Sequence, residues 1–198
     1  MTQNAQNSIL SSLRSASSAD LKRIVKDYQD QRQSDVQELI SIISEQEETL
    51  RKTQKIETNT REWFAITLLG DTRSATAVPI LIRLIALRDS SFSLISNESN
   101  PHWYSFPAAV ALSKIGMPAV EHLLELAHTA PPTSTAFHLA SITLEAILGE
   151  ELTLSAVEQY ARRYPDFSQK DRFSILTTLL RTGHKHWNAS NAADCSPE

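Results

Sequence analysis

The sequence predicts an all-α fold, an α-α superhelix built from pairs of helices that follow one another along the chain. The first of these helix pairs is predicted at residues 61–87, where two apolar stretches with helical spacing flank the polar turn after Gly70. The apolar pattern of the second helix, residues 78–85, returns in residues 120–127. Glycines at 70, 116, 149 and 183 mark predicted helix ends at spacings of 46, 33 and 34 residues. Such periods are typical of an α-solenoid.

The composition supports one globular helical domain and argues against several classes of protein. The 198 residues are 41% hydrophobic and 21% charged, with only four glycines. A net charge of −4 disfavours nucleic-acid binding, which requires a basic face. Cys195 is the only cysteine, so no internal disulfide is possible. We expect a cytoplasmic location, because residues 1–19 lack the apolar centre of a secretory signal and no apolar run reaches membrane length.

The N-terminal part is predicted to be a flexible head, residues 1–19, followed by a helical hairpin cap, residues 20–57. Two apolar stripes, one starting at Leu21 and one running from Val36 to Leu50, flank a polar segment, and Ser34 with Gln37 fits a capping box. A single helix of about 35 residues is the competing interpretation, since the stripe drifts only slowly around such a helix.

Residues 58–183 are predicted to contain the helical repeats, and residues 184–198 a disordered tail. The cap candidates for the first repeat are Thr58, Asn59 and Thr60, and those for the third are Thr133 and Ser134. Pro79 is expected in the first turn of its helix, because there its missing amide hydrogen costs nothing.

The repeat pattern resembles that of a known family. A helix rich in small residues closes on Leu69-Gly70 or Ile115-Gly116, and an Ala-Val pair then opens a leucine-rich second helix. Over residues 61–163 this resembles the HEAT repeat, especially the short bacterial type of phycobilisome-lyase-like proteins. The resemblance implies an armadillo-type α-solenoid. The family includes scaffolds, chromophore lyases, DNA glycosylases and an iron hydroxylase, so it does not select one function.

No constellation of residues indicates catalysis, and we expect neither a metal nor another cofactor. The iron hydroxylases among HEAT-like proteins hold a di-iron centre with His-Glu pairs, but this sequence has no His followed by Glu. Glu121-His122 is the reverse order and lies on a predicted solvated face. Glycine-rich phosphate loops and nucleophile elbows are missing from the sequence. His128 lies near a helix end, where capping or packing explains it.

Two sets of residues are candidates for partner contacts. Residues 89–106 interrupt the repeats, and this segment carries His102, Trp103, Tyr104 and Phe106. Aromatic residues with a polar edge are common in recognition surfaces. In the alternative interpretation, Trp103 and Phe106 cover the apolar seam between repeats. The second set is basic: Arg51, Lys52 and Lys55. These residues either join Lys22, Arg23 and Lys26 across the hairpin or complement a helix dipole.

The sequence therefore favours a non-catalytic protein-protein interaction module or scaffold, which binds another protein or a peptide through its extended surface. The alternative is a chromophore lyase-like or chaperone role on a phycobiliprotein-type partner, as the resemblance implies. Co-expression with a bilin separates the two, since a colourless product argues against the alternative.

Overall fold

A computed structural model describes residues 36–91, 103–168 and 171–182, and within these ranges the chain is mostly helical. The α-helices are α1 (Val36–Ser44), α2 (Glu47–Thr53), α3 (Arg61–Thr72), α4 (Val78–Arg83), α5 (Pro107–Ile115), α6 (Val120–Thr129), α7 (Thr135–Leu148), α8 (Glu150–Arg163), α9 (Pro165–Ser168) and α10 (Asp171–Thr182). Short 3-10 helices cover Ala75–Ala77, Trp103–Ser105 and Met117–Ala119. Two strands of two residues each, β1 (Lys55–Ile56) and β2 (Arg88–Asp89), pair in parallel.

The N-terminal predictions fall partly outside the described residues. The head at 1–19, the first helix of the hairpin, Gly183 and the tail at 184–198 all lie there, so the hairpin stays a prediction. The competing interpretation of a single helix of about 35 residues is wrong, because the stripe from Val36 to Leu50 is not one continuous helix. It divides at Glu45 and Gln46, where the Gln46 amide donates to the Ile43 carbonyl in a tighter turn.

Two predicted caps form as expected at the starts of α3 and α7. The Thr60 hydroxyl accepts a hydrogen bond from the Trp63 amide at 3.3 Å, and the Ser134 hydroxyl accepts one from the Phe137 amide at 3.2 Å. Each cap satisfies an amide that has no partner inside its helix. Of the two candidates for the third repeat, Ser134 is therefore the cap.

The glycines are not equivalent, and the prediction that Gly70 ends a helix is wrong. Gly116 and Gly149 follow α5 and α7 with φ of 80° and 76°, a conformation that favours glycine. Gly70 instead lies inside α3, which continues to Thr72. A Cβ at Gly70 would lie 2.7 Å from the Ala111 Cα on α5. Close packing of α3 on α5 is therefore what requires glycine at this position.

The helices pack in sequence around one apolar core. α1 packs on α3, α3 on α5, and α5 on α7, while α4 contacts α5 and α6, and α6 contacts α7. α10 packs against α7 and α8. Leu81, Leu123 and Val157, which come from the second helices of three predicted repeats, are fully buried in the same core.

The second helix of the first repeat is shorter than predicted. Pro79 lies in the first turn of α4, as expected, but α4 ends at Arg83. Leu84 and Ile85 continue in tighter turns, because their amides donate to Leu81 and Ile82 instead of to carbonyls four residues back. The chain then reaches β2, where the Arg88 amide donates to the Gln54 carbonyl at 3.0 Å.

Candidate partner-binding groove

The early end of α4 places its C-terminal turn on one side of an open groove of about 820 Å³. Helix α2 forms the opposite side, and the junction between α6 and α7 contributes to the groove. The lining residues are Ser44, Glu47, Glu48, Leu50, Arg51, Lys52, Gln54, Ile82, Arg83, Leu84, Ile85, Ala86, Leu87, Leu126 and Ala136.

Most of the groove surface is apolar. Leu50, Leu84 and Ile85 belong to the core and give the groove a fixed base. Ile82 and Leu126 are only partly buried, so they present apolar surface to the groove. An occupant with apolar side chains would remove this surface from water, at a gain of roughly 25 cal/mol per Å².

Glu47 and Arg83 form a two-pronged ion pair on the rim. Arg83 Nε donates to Glu47 Oε1 at 2.5 Å, and Nη2 donates to Oε2 at 3.0 Å. These hydrogen bonds hold the pKa of the Glu47 carboxyl below its ordinary value and raise that of the Arg83 guanidinium. The pair therefore stays charged at neutral pH.

The other charges of the rim lie on α2. Lys52 and Glu48 pair at 2.7 Å, but with side chains 74% and 83% exposed the pair contributes little to stability. Arg51 forms no ion pair within the described ranges, although its positive charge also lowers the pKa of Glu47. Three positive and two negative side chains leave the rim with one net positive charge.

The predicted basic set is divided by the structure. Arg51 and Lys52 line the groove and occupy the last turn of α2, where cations complement the helix dipole as predicted. Lys55 is exposed in β1, next to Arg88, and does not line the groove. Lys22, Arg23 and Lys26 lie outside the described residues.

The predicted aromatic set does not form one exposed surface. His102 lies outside the described residues. Phe106 is only 2% exposed, so its proposed role as a contact residue is wrong, because its ring belongs to the core. Trp103 is partly buried against the same core, and its 3-10 helix packs on α5. Tyr104, at 51% exposed, is the one member whose side chain is largely accessible within the described set.

Sequence reasoning missed a polar junction centred on Asp89, which is 1% exposed. Its carboxylate accepts hydrogen bonds from the Thr58 hydroxyl at 2.6 and 2.7 Å, the Trp63 indole at 2.9 Å and the Ser91 amide at 2.9 Å. The Ser90 hydroxyl also donates to the Ile56 carbonyl. Thr58 is a cap candidate by sequence, but its hydroxyl is used here. The junction fixes the segment after α2 against the segment after α4.

A second cluster joins α6 to the C-terminal helices. His128 Nε2 lies 2.8 Å from the Asp166 carboxylate, and its Nδ1 lies 3.5 Å from the Tyr160 hydroxyl. The ring also packs edge-on against Phe167. Burial raises the pKa of Tyr160 to about 12, so this hydroxyl stays protonated and is unsuited to act as a nucleophile. His128 therefore joins α6 to α8 and α9 through both polar and ring contacts.

The reversed pair Glu121-His122 lies on the surface of α6. Glu121 pairs with Arg163 at 2.9 Å on the surface, and His122 is exposed. No group of three or more potential metal ligands occurs among the described residues. Within the same ranges, every helix is too short or too polar to cross a bilayer.

No family model, curated protein or solved structure matches this chain.

Proposed function

We propose that the chain is a HEAT-like interaction module that binds a segment of a partner protein in the groove between α2 and α4. The observation that carries this proposal is an open apolar groove whose rim keeps a net positive charge. Helices stacked in sequence, α3 on α5 and α5 on α7, provide the rigid support that a HEAT-like module needs.

The occupant is an amphipathic segment that carries carboxylates. Its apolar side chains would cover Ile82 and Leu126, which are incompletely buried in the free chain. Its carboxylates would approach Arg51, the cation of the rim that has no ion pair in the described part of the chain. Apolar contacts supply affinity in this arrangement, and the charges select and orient the segment.

The size of the groove fits a short segment. Pockets that hold compact ligands span about 300–1,000 Å³, and a volume of about 820 Å³ lies inside this range. Only a few side chains of a partner can enter such a space. We therefore expect recognition through one turn or two of an amphipathic helix, with affinity concentrated in a few apolar anchors.

A synthetic peptide tests the proposal directly. A fluorescein-labelled amphipathic peptide of leucine and glutamate is titrated with the protein, and anisotropy gives Kd; the same peptide with lysine for glutamate is the charge control. Arg51→Glu should weaken binding of the acidic peptide about tenfold, because it reverses the rim charge nearest the carboxylates. Arg162→Glu, the same change on an exposed part of α8 outside the groove, should leave Kd within about twofold.

The location of binding is checked separately by NMR. Amide shifts on titration should concentrate on α2, on residues 84–87 and around Leu126. Equal binding of the acidic and basic peptides, or shifts centred on Tyr104, would overturn the groove assignment.

A further inference from the structure

We propose that Glu47 is an internal competitor for the partner's anionic group. In the free chain it occupies Arg83, and a carboxylate of the bound segment displaces it. The inference rests on the proposed function, because it concerns the same groove. It adds that competition from Glu47 for Arg83 limits the affinity of the groove for its partner.

The Glu47–Arg83 contact already has the geometry of carboxylate recognition. Two parallel N–H···O bonds join the guanidinium to both carboxylate oxygens, which is the arrangement by which arginine binds carboxylates in general. The Arg83 side chain is 45% exposed. A carboxylate from outside can therefore reach the guanidinium and replace Glu47 with similar bonds.

Arg51 makes the same position attractive to a second anion. It follows Glu47 by four residues on α2, so the two side chains lie on the same face of the helix. The carboxylate of Glu47 thus lies in the field of Arg51 as well as of Arg83. An incoming carboxylate would meet an available guanidinium at Arg51 and an occupied one at Arg83.

Other contacts hold α2 in place, so the ion pair is not its sole attachment. Leu50 is buried in the core, and the Gln54 carbonyl at the end of α2 accepts the Arg88 amide. Loss of the Glu47–Arg83 bonds should therefore leave the groove formed. If the ion pair instead held the two sides of the groove together, a role we call a latch, removal of either partner would disrupt the groove. The two roles therefore predict different results.

Three substitutions distinguish these roles with the acidic peptide as the probe. Glu47→Gln should lower Kd about fivefold, because an amide holds Arg83 less tightly than a carboxylate does and a negative charge is removed from the rim. Arg83→Gln should raise Kd by a similar factor, because it removes the guanidinium itself. Glu121→Gln makes the same charge change at an exposed pair with Arg163 outside the groove, and should alter Kd less than about twofold.

Each outcome decides the inference. Opposite signs for Glu47→Gln and Arg83→Gln support the competitor, as does binding by Glu47→Gln when the wild type does not bind. Weaker binding in both variants would show a latch, and equal tightening by Glu121→Gln would show a general charge effect. Either result overturns the inference, while the wild-type peptide affinity keeps the proposed function standing. Absence of binding in every variant overturns both.

Discussion

The segment from α2 to β2 has two sides that use polar groups in opposite ways. On the α3 side, Asp89 is buried and all its hydrogen bonds go to Thr58, Trp63 and Ser91. On the α4 side, Glu47 and Arg83 meet at the surface, where water and other ions compete. Removing one partner of a buried polar group leaves the rest unsatisfied, whereas a surface pair can exchange partners at low cost. The α3 side is therefore built for stability, and the α4 side is suited to binding.

The largest expected effect comes from Asp89→Ala on the α3 side. The change leaves the Thr58 hydroxyl, the Trp63 indole and the Ser91 amide without their acceptor in a buried place. We expect a loss of roughly 3 kcal/mol in the free energy of unfolding, measured by urea denaturation. A loss below about 1 kcal/mol would show that these donors find other partners. Asp89→Asn, which keeps part of the acceptor, should lose less.

Gly70→Ala should produce the next largest effect on the same side. The new methyl would lie 2.7 Å from the Ala111 Cα, so α3 and α5 must move apart, at a cost of about 1–3 kcal/mol in the free energy of unfolding. Gly116→Ala is the comparison, because no atom lies within 4 Å of the added Cβ and the strain comes from its positive φ alone. The Ala111 Cα belongs to the backbone and cannot turn away, so an unchanged free energy of unfolding for Gly70→Ala would contradict steric overlap.

The smallest effect should come from the α4 side and depend on pH. The pKa of Glu47 is lowered in the folded protein, chiefly by the Arg83 hydrogen bond. Its contribution is therefore fully present above the unfolded pKa near 4.5 and is lost as pH falls through the lower folded pKa. At neutral pH, Glu47→Gln should be less stable than wild type by less than about 1 kcal/mol.

The stability difference between Glu47→Gln and wild type should shrink in acid. Thermal unfolding of both proteins at neutral pH and below pH 4 checks this, with Glu48→Gln as the matched surface control. A difference that grows as pH falls would contradict the assigned direction.

Helix content was predictable from sequence because it follows from spacing and caps. The apolar pattern placed Leu81, Leu123 and Val157 in one core, and cap preferences placed a helix start at Thr133 or Ser134, of which the structure uses Ser134. Gly70 was misassigned because a glycine that ends a helix and one that admits a neighbouring helix look the same in sequence. Only the position of Ala111 distinguishes them.

The candidate site was less predictable because it depends on contacts between distant segments. The position of Arg51 and Lys52 in the last turn of α2 followed from the sequence, but Arg83 and Leu126 join them only through packing. The junction at Asp89 likewise needs Thr58 and Trp63, about 30 residues away. For Phe106 the sequence left both a contact role and a place over the apolar seam open, because an aromatic residue in an irregular segment has no periodicity to show which way it faces. Its burial selects the second interpretation.

The parallel pairing of β1 with β2 has a consequence for how the chain opens. The two ends of residues 55–89 lie side by side, so the segment that contains α3 and α4 is a closed loop of chain. The hydrogen bond from the Arg88 amide to the Gln54 carbonyl and the contacts of Asp89 hold its ends together. Local unfolding that starts in α2 or in the chain after β2 must break these contacts before it reaches α3 and α4. The Arg88 amide should accordingly exchange its hydrogen as slowly as those in the middle of α3, although it lies in a strand of two residues.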